Sequence, residues 1–357
     1  MPQSLRYVTI RLRVLGALVI CSMLVSCAIP VRTARLEPTT PLSEQQGQTA
    51  LKQQAPTEIE AQAAQRLDTA SCSPAWSWLM PGLGQLCMGK TGEGAALSAL
   101  AVTEIGAAIA LANADLPGTS DSGFSPQTLP LVGLQNLWFY SVADIYLEED
   151  RAEQLPFTPQ DTLGELVAAP FNLEVLESPD VWGGILATTA AAFAFSALMS
   201  SSTDTPTGEP ISDQTPQYFG QEMPAGAAYP LAFATGTALF SHVAIGEEAV
   251  FRGIVQSSLA RNQGEWAGWA WSSLIFGAIH IPNATVMPAG QRQDYLLYSV
   301  PFITAVGSYL GLSYKWSGYS LSHPVAVHFW YDFLLSAAQY AVSPGDSPIG
   351  MTYTLPF

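Results

Sequence analysis

The stretch Leu239-Phe240-Ser241-His242-Val243-Ala244-Ile245-Gly246-Glu247-Glu248-Ala249-Val250-Phe251-Arg252-Gly253 decides the fold. It closes an apolar window, 227–247, long enough to cross a hydrocarbon core of about 30 Å, which takes roughly 20 helical residues. It then sets two adjacent carboxylates and, four residues after the second, an arginine. Ionisable groups at membrane depth are costly and mark functional sites. Read outward, the chain has further windows at 92–114, 128–146, 181–200, 265–283, 295–313 and 321–342, with a shorter apolar piece at 75–88. The fold expected is all-α, a polytopic transmembrane helical bundle with about seven spans.

Composition points the same way. Of 357 residues, 48% are hydrophobic and only 12% charged, against about 25% charged in soluble domains. Thirteen basic and 29 acidic side chains give a net charge of −16, which leaves no basic surface to neutralise phosphates and excludes nucleic acid as a partner. Four cysteines without a C-x-x-C pair exclude a zinc ribbon and a disulfide-dense scaffold.

The N-terminus reads as a targeting segment, 1–26, because Arg6, Arg11 and Arg13 precede the apolar run Val14 to Val25. Its end, Leu24-Val25-Ser26-Cys27, resembles a bacterial lipobox. That resemblance implies lipidation of Cys27; the alternative is an uncleaved signal anchor, and both put residue 28 outside. Residues 27–73, rich in Gln, Thr, Pro and Ala, lack the apolar side chains for a core and read as a disordered extracytoplasmic tether. The expected location is a bacterial membrane, multi-pass and inner, with membrane lipid around the spans.

Residues 74–146 contain Pro81-Gly82-Leu83-Gly84-Gln85 followed by Gly89-Lys90, which resembles a small membrane hairpin module of bacterial envelope proteins, its glycines allowing close helix packing. The run Gly84 to Thr91 also satisfies the G-x-x-x-x-G-K-T pattern of phosphate loops. That pattern needs a preceding buried strand, and here it follows the aromatic segment Trp76 to Leu83. Cys72 and Cys87 pair if both face outward. Residues 147–226 read as a linker, one transmembrane helix and a polar loop, 227–342 as the core of the site, and 343–357 as a tail. Alternating the windows across the membrane sets Lys90, Arg151, Arg252, Arg261 and Lys315 on the cytoplasmic side and Arg292 outside, as the positive-inside rule asks.

Three ordered motifs carry chemistry: Glu247-Glu248-x-x-x-Arg252, Phe276-x-x-x-His280 and His328-x-x-x-Asp332. Glu247 lies 14 residues before Arg261, and His280 lies 15 after Glu265. At 1.5 Å per residue both sit about 21–22 Å from that turn, so an antiparallel pair brings them to one height. A third helix entering from the same side near 318–321 brings in His328 and Asp332, on one face at i,i+4. Arg252 best reaches Glu248. A buried carboxylate can take a proton from water and return it to a leaving amine, while its salt-bridged neighbour stays ionised. His280 and His328 can orient the water or face a developing oxyanion.

These motifs resemble the CAAX protease and bacteriocin-processing family of intramembrane endopeptidases (CPBP, also called ABI). The resemblance covers about 227–342. It implies a glutamate-dependent peptidase with Glu247 as the base, Glu248 and Arg252 supporting it, His280 assisting, and His328 with the residue four later holding the water or oxyanion. Many members carry Asn where this chain has Asp332, and a carboxylate only accepts hydrogen bonds unless protonated. The expected partner is a peptide or membrane-protein substrate, and no cofactor is required. A divalent metal between Glu247, His280 and His328 is the chemical alternative, and a non-catalytic envelope scaffold the functional one. His242 reads as a satisfied packing histidine, His323 as a helix-start or loop residue, and the Trp cluster at 266–271 as an interfacial belt. No motif surrounds Glu104 or Asp144.

Overall fold

The computed structural model describes residues 75–114, 128–200, 215–219, 221–285, 289–342 and 344. The targeting segment 1–26, Cys27, the tether 27–73 and most of the tail 343–357 lie outside the described residues.

The elements in chain order are α1 (Ala75–Leu79), α2 (Leu83–Cys87), α3 (Thr91–Asn113), α4 (Thr128–Ala152), α5 (Leu163–Ala168), α6 (Leu173–Leu176) and α7 (Pro179–Ser200). A two-stranded antiparallel ladder, β1 (Gln217–Tyr218) and β2 (Gln221–Glu222), precedes the last four helices. These are α8 (Ala225–Gln263), α9 (Glu265–Ile279), α10 (Arg292–Trp316) and α11 (Ser322–Val342). Single-turn 3₁₀ segments follow α5 and α9. The protein is an all-α membrane bundle.

Helix occupies each of the seven apolar windows, but the helices are not equivalent. Among the described residues, α3, α8 and α10 are long and apolar enough to cross a membrane, by length and composition. The last turns of α4 carry Asp144, Glu148, Glu149, Asp150 and Arg151. α9 has 15 residues, about 22 Å at 1.5 Å each, short of the expected span 265–283. It gives way to the 3₁₀ segment Ile281–Thr285, because Pro282 has no N–H with which to continue the α-helical hydrogen bonds. α8 runs the other way, continuing without a break 16 residues past its apolar window.

Within α8, Ala249–Gln256 is a π-helix, a wider turn that recurs at functional sites. It turns Arg252 and Gln256 toward α10, where Arg252 Nη2 donates to Gly307 O at 2.6 Å and Gln256 Nε2 donates to Gly311 O at 2.8 Å. Gly307 and Gly311 are four residues apart and leave these carbonyls uncovered; a Cβ on Gly307 would lie 2.5 Å from the Phe276 ring. Small residues and polar donors hold helices together where lipid removes the hydrophobic drive.

Most cations gather at one end of the bundle. Arg261 at the end of α8 meets Asp150 at 2.7 Å, Lys315 pairs with Glu265, and Arg151 meets Glu148 at 2.7 Å. Arg252 departs from the charge reading above: it is buried among α8, α9 and α10 rather than at a span end. Between α2 and α3, Lys90 reaches Asp144 at 3.3 Å and Glu148 at 2.5 Å, so the lysine of the phosphate-loop pattern is held by carboxylates. The buried Gln85 bonds Ser141 O and Asp144. Cys87 is disulfide-bonded; its partner, and Cys72, lie outside the described residues.

α8 and α4 cross closely at Gly246, where a Cβ would come within 2.4 Å of Asn136 O. Gly246→Ala therefore costs about 1–3 kcal/mol through overpacking, seen as a lower melting temperature in detergent. Gly226→Ala, with nothing within 4 Å, leaves melting unchanged or raises it.

Candidate active site

Three helices deliver the site. α8 brings Glu247, Glu248 and Arg252, the C-terminus of α9 brings His280, and α11 brings His328 and Asp332. The two glutamates, adjacent in sequence, meet different surroundings because successive helical residues point about 100° apart.

Glu248 is completely buried. Its Oε1 accepts from Arg252 Nη1 at 3.0 Å and from His328 Nδ1 at 2.8 Å. Arg252, itself 1% exposed, spends Nη2 on Gly307 O and lies 4.6 Å over the Phe276 ring. A buried carboxylate and guanidinium that lose solvent together must be compensated by such bonds. Two atoms of the pair, Glu248 Oε2 and Arg252 Nε, have no hydrogen-bond partner among the described residues.

Glu247 differs. It is half-buried, and its carboxylate makes no hydrogen bond or ion pair among the described residues. The charges acting on it are those of His280, His328, Asp332 and Glu248, so the two glutamates, two histidines and Asp332 share one electrostatic site.

The histidines are held in defined orientations. His280 Nδ1 lies 2.7 Å from Phe276 O. A carbonyl only accepts, so Nδ1 carries the proton and Nε2 presents its lone pair when the ring is neutral. His328 is flanked by carboxylates, with Glu248 on Nδ1 and Asp332 Oδ2 at 3.4 Å from Nε2. It serves both as donor when both nitrogens are protonated.

Several contributors support the site through packing and hydrogen bonds. Phe276 touches three site residues: its ring centroid lies 4.9 Å from that of His280 and 6.3 Å from that of His328, besides the contact with Arg252. Tyr295, buried in α10, donates to His280 O at 3.1 Å. The spacing Gly307-x-x-x-Gly311 was legible as a small-residue packing motif, but nothing in it names Arg252 as the partner.

The remaining ionisable residues fall elsewhere. His323 Nδ1 lies 3.0 Å from Asp180 at the start of α11. His242 departs from the expected satisfied histidine: its Nδ1 has no hydrogen-bond partner, and Glu104 Oε1 is 3.7 Å away. Asp144 pairs with Lys90 and Arg151. Trp266 and Trp271 are exposed, and Lys315 lies over Trp266.

Among the described residues no three His, Cys, Asp or Glu side chains group so as to hold a metal ion, and His328 has a carboxylate at each ring nitrogen.

Residues 229–334, just under a third of the chain, match the family described as Type II CAAX prenyl endopeptidase, Rce1-like. No curated protein and no solved structure matches the chain. The matched segment runs from α8 into α11 and contains all six residues of the constellation.

Removing Arg252 leaves Glu248 charged, buried and short of a donor. Arg252→Met should cost about 3–5 kcal/mol, measured as a fall in detergent melting temperature, and the double variant Arg252→Met/Glu248→Gln should recover part of it.

Proposed function

We propose that the protein is an intramembrane endopeptidase that hydrolyses a peptide bond with glutamate-activated water. The observation that carries this reading is the division between the two glutamates: Glu248 is fixed by Arg252 and His328, while Glu247 stands beside it half-buried with no bonded partner among the described residues. The family match over 229–334 supports peptidase activity in general.

In the proposed reaction a water lies between the Glu247 carboxylate and the Nε2 lone pair of His280. Glu247 takes one proton as the water oxygen attacks the scissile carbonyl carbon, giving a tetrahedral oxyanion. Collapse breaks the C–N bond, and Glu247 returns the proton to the departing amine, so it is regenerated each cycle. Phe276 O fixes the His280 tautomer, which makes His280 an acceptor that orients the water. Asp332, an acceptor in its ionised form, does not serve the oxyanion; its place is to hold His328, which in turn holds Glu248. The route passes through no metal ion.

The substrate in this reading is a peptide or a membrane-protein segment that enters from the lipid. The prenylated peptides named in the family description are not assigned to this chain. The proposed setting is a bacterial inner membrane with the N-terminus outside and anchored through Cys27, and a site opening toward the extracytoplasmic face.

Incubation of the detergent-purified full chain with a library of membrane-derived peptides tests this. Wild type should cleave, Glu247→Gln should lose about 10²–10⁴-fold in turnover, and chelator treatment should leave wild-type turnover intact. Loss on chelation that zinc restores would sink the metal-free route. Absence of cleavage by wild type, with full cellular function in Glu247→Gln, would hand the account to a non-catalytic scaffold.

A further inference from the structure

The loop between α4 and α5, outside the matched segment, binds the start of the helix that carries His328. Asp161 Oδ1 accepts from Ser320 Oγ at 2.7 Å, Ser322 Oγ at 2.6 Å and Ser322 N at 3.1 Å, and Oδ2 accepts from Leu321 N at 2.8 Å. The first N–H groups of a helix have no partner within it and favour a negative charge. A residue next to the helix usually supplies one, whereas here the acceptor comes from 160 positions away.

The loop is itself anchored. Arg151 of α4 donates to Pro159 O at 2.8 Å and to Asp161 O at 3.2 Å. Phe157, in the left-handed region at φ +63°, turns its carbonyl to Ser257 Oγ of α8 at 2.6 Å and Tyr314 Oη of α10 at 3.3 Å. One loop thus holds α8, α10 and α11 at the same end of the bundle.

We propose that Asp161 is a positioning residue of the active site: by fixing the first turn of α11 to the α4–α5 loop, it sets the height of His328 and Asp332 against Glu248. A slip of one residue along α11 moves His328 by about 1.5 Å, enough to break its 2.8 Å bond to Glu248. The inference rests on the peptidase reading for its catalytic half, while its geometric half is independent of it.

The test uses the full chain in detergent with Asp161→Ala, the milder Asp161→Asn, and Thr162→Ala as control. Thr162 is the neighbouring residue, but its hydroxyl caps α5 by accepting from Glu165 N, so its loss weakens the same loop without touching α11. Asp161→Ala should lower kcat about 100-fold with little change in KM, Asp161→Asn should lower it less, and Thr162→Ala should leave kcat at the wild-type value. Imidazole nitrogen NMR, simple with four histidines in the chain, should show the His328 signal displaced in both Asp161 variants and unchanged in Thr162→Ala. Unmoved His328 signals, or a kcat loss equal in Thr162→Ala, would overturn the proposal. A displaced His328 signal in a protein whose wild type cleaves nothing would uphold the positioning and fell the peptidase reading instead.

Discussion

The hydrogen bonds that converge on Glu248 are the constraint on which the rest depends. A carboxylate with no exposed surface inside a lipid-embedded bundle is tolerable only with donors in place, and the donors come from two other positions: Arg252 one turn along the same helix, His328 from α11. Arg252 must in turn be held, so α10 approaches closely enough for Gly307 O to accept from it. The glycines of α10, the π segment of α8 and the ring of Phe276 all follow from the need to surround one guanidinium–carboxylate pair.

With Glu248 Oε1 taking both donors, its neighbour is relieved of structural work. Glu247 inherits the position without the bonds, and that contrast is what permits a chemical role. The same logic separates the histidines. His280 is pinned through one nitrogen by a backbone carbonyl and keeps the other for a ligand, whereas His328 has both nitrogens against carboxylates and acts as a strut. In the proposed reaction the site therefore divides into a fixed frame of Glu248, Arg252, His328 and Asp332, and a working pair of Glu247 and His280.

Much of this was legible in the sequence. The apolar windows gave the helices, since lipid leaves the backbone no other way to satisfy itself, and counting residues from the Arg261–Glu265 turn gave the common height of the three motifs. The i,i+4 spacing already paired Arg252 with Glu248. What escaped were contacts that have no local pattern. The bond from Arg252 to Gly307 spans 55 residues, and that from Asp161 to Leu321 spans 160; neither leaves a periodicity to read. Arg252 was placed at a membrane face because charge counting treats every cation as solvated, and this one has only 1% of its surface exposed. Hydropathy windows also do not see where α9 gives way ahead of Pro282 or where the acidic last turns of α4 begin.

The most direct test of the central claim, that one glutamate builds the site and the other works in it, is a paired measurement of melting temperature and turnover in Glu247→Gln and Glu248→Gln. The account predicts that Glu247→Gln melts with wild type and is inactive, while Glu248→Gln melts lower because a neutral amide replaces the carboxylate that Arg252 and His328 share. A Glu247→Gln protein that melts well below wild type, or one that turns over substrate at the wild-type rate, would contradict it.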